Sequence, residues 1–186
     1  MDEGLSATGR RMVGYALRWG YPALVTVDGR RVTETFRRGA FAKSIAEGRV
    51  RLCLEHEWTA VVARQDDGVL TLVEDGVGLR VDATANHSDA GDDALDAVRC
   101  RARAGLSVSF GSPVVEWREV DDQPVREVVD CRLHEVSVCR NPAYRSSEIV
   151  AGRMRIERFL GAIGALDDPH EARLARLAAA EAALRR

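Results

Sequence analysis

Residues 131–144, "CRLHEVSVCRNPAY", close the longest extended run of the chain, which begins near Val125 and is ended by Asn141-Pro142. Strand alternation puts Glu135 on one face with Leu133 and Ser137, and His134 on the other with Val136 and Val138. A buried acid or imidazole is costly to desolvate, so whichever of the two faces inward needs a partner. The segment therefore predicts both a long strand and a candidate polar site on it.

Working outward, the polar turn "DDQP" at 121–124 and a strand near 114–120 precede the run. Before them, "LSVSFG" (106–111) reads as a strand with Leu106, Val108 and Phe110 on one face and Ser107 and Ser109 on the other. Leu95, Val98 and Ala102 have helical spacing within Asp92–Ala104, and Gly105 reads as the helix stop. Residues 84–91 form a polar loop. "GVLTLVED" and "VGLRVDA" read as two strands joined by a turn around Asp75-Gly76.

Further upstream, "VRLCLEH" (50–56) places Val50, Leu52, Leu54 and His56 on one strand face, with Arg51, Cys53 and Glu55 opposite. "RGAFAKSIAEG" (38–48) is a short helix between two glycines, and Val32–Phe36 a short strand. In "MVGYALRW" (12–19), Val13, Tyr15, Leu17 and Trp19 share a strand face. After Pro142, Ile156, Phe159, Leu160 and Ile163 make an amphipathic stripe, and Asp168-Pro169-His170-Glu171 opens an Ala- and Arg-rich helix.

The 186 residues suit one domain with a terminal extension, and 46% hydrophobic residues suffice for a core. A formal net charge of −2 gives no whole-molecule attraction to nucleic acid or membrane, though it leaves room for a local basic patch. Lys43 is the only lysine, so nearly all positive charge is arginine. No apolar run is long enough to cross a bilayer, and Met1-Asp2-Glu3-Gly4 does not open a secretory signal. Cys53, Cys100, Cys131 and Cys139 form no C-x-x-C pair and read as apolar fillers, with no metal and no cofactor expected.

Three pieces carry potential chemistry. An imidazole changes charge near neutral pH, which makes His56 a candidate general base. Ser107 and Ser109 suit a nucleophile only if a base comes within reach. Glu135 and His134 are rival groups for orienting a catalytic histidine, and spacing alone does not choose between them.

Read in order, the pieces resemble the prohead proteases of tailed phages, the HK97-type caudovirus family. "GYALRW" (14–19) resembles the family's opening strand, and "ETFRRGAFAKSI" (34–45) its glutamate, Gly-Ala-Phe and helix. "VRLCLEHEW" (50–58) resembles the strand that ends in the catalytic histidine, and "GVLTLVEDGVGLRVDAT" (68–84) the hairpin that follows. "LDAVRCRARAGLSVSFG" (95–111) is similar to the helix leading into the Ser-x-Gly-Phe strand, and "LHEVSVCRNPAY" (133–144) to the L-x-E-V-S…P-A-Y signature. The resemblance covers residues 11–148.

The stripe at 156–163 and the helix start at Asp168 lie outside the resemblance and predict a helical C-terminal tail over 151–186, expected as tether, dimer contact or self-cleaved tail. What the resemblance implies is an α+β, mainly β fold: a herpesvirus-protease-like β-barrel domain over 1–150, closed or nearly closed, flanked by helices. It implies a serine endopeptidase that cuts scaffold and capsid-precursor segments, and itself, inside the assembling prohead in the bacterial cytoplasm. No nucleic acid or membrane partner is implied. Carried onto this sequence, His56 is the base, Ser107 the nucleophile and Glu135 the orienting acid; His134 is its rival by analogy with the herpesvirus enzymes. Ser109 stands where the family has glycine, and "TAVVARQDDG" (59–68) lacks the family's Leu-Gly pair. Arg140 and Arg145 are candidates for placing a water or the backbone at the oxyanion. A non-catalytic capsid-assembly protein with the same barrel is the competing class.

Overall fold

The computed structural model describes residues 7–100, 105–120 and 123–166. The strands are β1 (Arg11–Arg18), β2 (Ala23–Val27), β3 (Arg30–Phe36), β4 (Arg51–Leu54), β5 (Glu57–Arg64), β6 (Leu70–Glu74), β7 (Gly78–Thr84), β8 (Gly105–Val120), β9 (Gln123–Cys139) and β10 (Glu148–Ala151). The helices are α1 (Ala42–Glu47), α2 (Asp89–Arg99) and α3 (Arg153–Leu166). The mainly β, α+β character matches the sequence reading. The strands form two open sheets, however, and no closed barrel is present among the described residues.

One sheet has the order β10-β1-β7-β6, with every neighbour antiparallel. Gly14 of β1 lies opposite Ile149, so close to the Glu148 backbone that a Cβ there would overlap the carbonyl oxygen. The β1–β7 register slips between Tyr15 and Leu17. This bulge breaks the face predicted for Val13, Tyr15, Leu17 and Trp19. Leu17 and Trp19 join the main core, whereas Tyr15 packs its ring 6.0 Å from Phe159 of α3.

The other sheet is organised by β9. Strand β8 runs antiparallel along one edge of it, from Gly105 opposite Cys139 to Val120 opposite Gln123. Its other edge is shared by two shorter parallel strands: β3 pairs with Val125–Val128 and β4 with Glu135–Val138. Backbone groups in the gap between them need partners, because an unpaired buried N–H is costly. The α1 region supplies them: Cys131 N donates to Ala40 O at 3.0 Å and Leu133 N to Ser44 Oγ at 2.9 Å. The segments read as strands at 106–111 and 114–120 are thus one strand with register shifts.

Between the sheets, Phe36 stacks on Phe41 (ring centroids 4.9 Å apart) and meets Phe110 and Tyr144 edge-on at 5.1 and 5.4 Å. Leu52, Leu106, Val108, Leu133, Val136 and Val138 complete this side of the core. Beside it Glu34 is buried, bonded by Tyr144 Oη and ion-paired to Arg126, its neighbour across β3 and β9. The pair and the tyrosine tie the Asn-Pro-Ala-Tyr loop to β3. Helix α2 starts three residues earlier than expected, with Ser88 Oγ accepting from Gly91 N at 3.2 Å, and it ends at Arg99 rather than at Gly105. Gly105 instead opens β8, where a Cβ would press on Pro142 and Ser147. The helix expected from Asp168 lies outside the described residues.

Candidate active site

The β4–β5 connection contains only Glu55 and His56, since Leu54 pairs with Glu57. A two-residue hairpin turn of type I′, one of the two that match the strand twist, needs positive φ at both central residues. Glu55 and His56 have φ of 50° and 61°. Neither residue favours that region, so each stores strain of about 1 kcal/mol. Backbone and side-chain contacts hold the turn: Glu55 N donates to Val138 O at 2.9 Å, and His56 N donates to Ser137 Oγ at 3.1 Å.

This turn overturns the expected placement of His56 on the face of Leu52 and Leu54. The chain swings the imidazole across to the outer side of β9, where Nδ1 lies 2.6 Å from Glu135 Oε1. Ser137 Oγ donates to the other oxygen of the same carboxylate. A ring results: the His56 backbone binds the Ser137 hydroxyl, that hydroxyl binds Glu135, and Glu135 binds the His56 ring. A carboxylate accepts only, so Nδ1 carries the hydrogen, and in the neutral imidazole Nε2 then presents a lone pair. The imidazole side chain is 43% exposed and the Glu135 side chain 1%, so the acid is enclosed while the base opens to solvent. Burial first, and then the Glu135 charge, pushes the adjacent Cys53 thiol up to about 11, which keeps it protonated against the carboxylate.

His134 and Glu135 do not occupy opposite faces as strand alternation predicts. Ser109 lies opposite Glu135 and Phe110 opposite Leu133, so His134 is the extra residue of a β-bulge. Leu133 and Val136 both enter the core, and both residues between them leave it. The His134 ring sits near Trp58, with centroids 6.5 Å apart, and over Gly111, where a Cβ would stand 2.6 Å from Nε2. Glu135, not His134, contacts His56.

The serines lie on the same outer face. Ser107 is opposite Ser137, which is opposite Cys53; Ser109 is opposite Glu135, which is opposite Arg51. Directly opposed residues hold their Cβ atoms about 5 Å apart. Ser107 is buried and Ser109 half-buried. No hydrogen bond links the described residues Ser107 and His56 in this structure, a looseness common in unliganded sites. Arg140 turns its guanidinium toward Glu55, 3.8 Å away, with its side chain 81% exposed, and Arg145 is exposed.

Two features of the site were not legible in the residues: the bonding role of Ser137 and the thiol of Cys53 beside the acid. The Glu-x-Ser spacing was the available signal, since it puts both side chains on one strand face. Among the described residues no three His, Cys, Asp or Glu side chains converge to hold a metal ion, and no helix is long and apolar enough to cross a membrane. Comparison with curated proteins gives no match. The family model for the caudovirus prohead serine proteases matches residues 2–160, most of the chain, and the protein belongs to that family.

Proposed function

We propose that the chain is the endopeptidase that cuts capsid-precursor and scaffold polypeptides during prohead maturation, with Ser107 as nucleophile, His56 as base and Glu135 as orienting acid. The observation that carries this reading is the 2.6 Å contact of a partly exposed imidazole with an enclosed carboxylate, on the sheet face that bears Ser107. Ser107 Oγ attacks the scissile carbonyl carbon while its proton passes to His56 Nε2. Glu135 stabilises the imidazolium and fixes the tautomer. Collapse of the tetrahedral intermediate breaks the C–N bond, and the leaving amine takes the proton from His56. Water, deprotonated by the same imidazole, then releases the acyl group from Ser107.

Ser107 is preferred to Ser109 because it occupies the family's nucleophile position, whereas Ser109 replaces a glycine. Self-cleavage of the segment after residue 153, and confinement of the enzyme within the prohead, belong to the same reading. Co-expression with the capsid precursor tests it. Ser107→Ala abolishes precursor cleavage and leaves the circular dichroism spectrum unchanged. A Ser107→Ala protein that still cuts, beside a Ser109→Ala protein that does not, reverses the assignment.

A further inference from the structure

Strands β4 and β9 run parallel, so the face that holds Glu135 and Ser137 has two flanks along the strand direction. The flank beyond Ser137 is a broad cleft of about 900 Å³ bordered by Glu55, Asp93 and Asp96, with Arg140 as the one basic residue among the described residues that line it. The flank before Glu135 is different. There a smaller hollow of about 170 Å³ is lined by Arg49, Arg51, Arg132, His134 and Trp58, with Glu47 as the one acid among the described residues that line it.

The chemistry of this hollow is unusual for solvated surface. Arg51 lies over the Trp58 ring, 5.5 Å from the centroid, and Trp58 remains 52% exposed despite its size. None of Arg49, Arg51 and Arg132 has an ion pair among the described residues. Guanidinium groups bind carboxylates through two parallel hydrogen bonds, and a stacked guanidinium is already oriented to do so. Net charge does not cause this local excess of positive charge, because the molecule as a whole is slightly acidic.

We propose that the hollow is a substrate subsite for an acidic side chain, Asp or Glu, of the polypeptide that the enzyme cuts. This rests on the reading of Ser107 and His56 given above and adds the substrate's charge pattern to it. Arg51 is directly opposite Glu135, one row along the sheet from the Ser107–Ser137–Cys53 row. Rows on one face are two residues apart, about 6.6 Å. An extended peptide with its scissile bond at Ser107 places the acidic residue two or three positions from that bond. Trp58 forms an apolar wall for the methylenes, and Arg51 and Arg132 receive the carboxylate. The carboxylates of the opposite flank repel an acidic peptide bound the wrong way round. The hollow's volume fits one side chain, which favours a peptide over a nucleic-acid strand.

The test uses the full chain carrying Ser107→Ala, so that binding is read without turnover. Two blocked hexapeptides, acetyl-Ala-Ala-Glu-Glu-Ala-Ala-amide and its Lys-Lys twin, are titrated against tryptophan fluorescence at low and high salt. The acidic peptide changes the emission, the change is absent in Trp58→Phe, and added salt weakens binding. Arg51→Glu with Arg132→Glu lowers affinity for the acidic peptide about tenfold or more and reverses the preference toward lysine. Arg51→Gln with Arg132→Gln gives the same loss without charge reversal, should the double glutamate variant fold poorly. Equal responses to both peptides overturn the subsite, as does a response that survives Trp58→Phe. Tighter binding of a short oligothymidylate than of the acidic peptide overturns it in favour of a nucleic-acid surface. In the wild type, equal cleavage of acidic and basic peptides removes the subsite and leaves the peptidase standing. A wild type that cleaves neither but binds as described removes the peptidase and leaves the carboxylate site.

Discussion

Replacing Ser137 by alanine deletes one hydroxyl and almost no volume, yet that hydroxyl joins the backbone of His56 to the carboxylate of Glu135. Ser137 is fully buried and Glu135 is 1% exposed, so water does not readily take its place. The His56 N–H loses an acceptor, worth about 1 kcal/mol, and the carboxylate loses a donor, worth about 1.5–3 kcal/mol. Stability therefore falls by about 2.5–4 kcal/mol, read as a lower urea midpoint at unchanged slope. The effect on catalysis is separate. Without the bond the left-handed Glu55–His56 turn is free to relax, and a shift of about 1 Å in the imidazole costs on the order of 100-fold in kcat. Ser137→Thr keeps the hydroxyl and restores most of both quantities. If Ser137→Ala keeps the wild-type urea midpoint and the wild-type cleavage rate, the hydrogen-bonded ring does not hold the site together.

Glu135→Gln lowers kcat by about 100- to 10,000-fold with little change in KM, because it disturbs the tautomer rather than binding; steady-state cleavage of a capsid-precursor peptide measures this. Burial raises Cys53 and Cys139 to about 11 and Cys131 to about 12, from an ordinary 9.0. Unfolded thiols lose their protons near 9 while folded ones keep them, so stability is full below that pH and falls as pH rises from about 9 to about 12. Urea melts across that range follow the loss, and at pH 8 a thiol reagent labels the exposed Cys100 well before the three buried cysteines. Gly14→Ala destabilises by about 1–3 kcal/mol or more, since its Cβ meets backbone rather than a movable side chain; thermal unfolding shows it.

Much of the fold was legible where its strands alternate between inward and outward residues. Leu106, Val108 and Phe110 turn inward and Ser107 and Ser109 outward, as their spacing says, and β9 ends at Cys139, just before Asn141-Pro142. The failures share a cause. Alternation is a local rule, and a single inserted residue reverses it. The bulges at Ala16 and His134 did so, moving Leu17 into the core and His134 to the outer face of Glu135. Neither carries a glycine or any other composition cue.

Turns account for the rest. The hairpin β4–β5 turns on Glu-His, where positive φ is usually announced by Asn-Gly or Asp-Gly, so β5 and the true position of His56 stayed hidden. Tertiary contacts from Val138 and Ser137 enforce a conformation that the residues themselves disfavour. Asp28-Gly29 is the contrasting case, a recognisable turn signal with φ of 49° and 77° that joins β2 to β3. The family resemblance placed His56 and Glu135 in order along the chain. Their mutual contact depends on the parallel pairing of β4 with β9, a long-range register that no local pattern encodes.

The central claim is that His56 activates Ser107. Treatment of the wild-type protein with diisopropyl fluorophosphate, under conditions where it cleaves capsid precursor, followed by peptide mapping, tests it most directly. The account predicts one phosphorylated residue, Ser107, with parallel loss of cleavage and no adduct in His56→Ala. An adduct on Ser109, or undiminished cleavage with Ser107 unmodified after prolonged exposure, contradicts it.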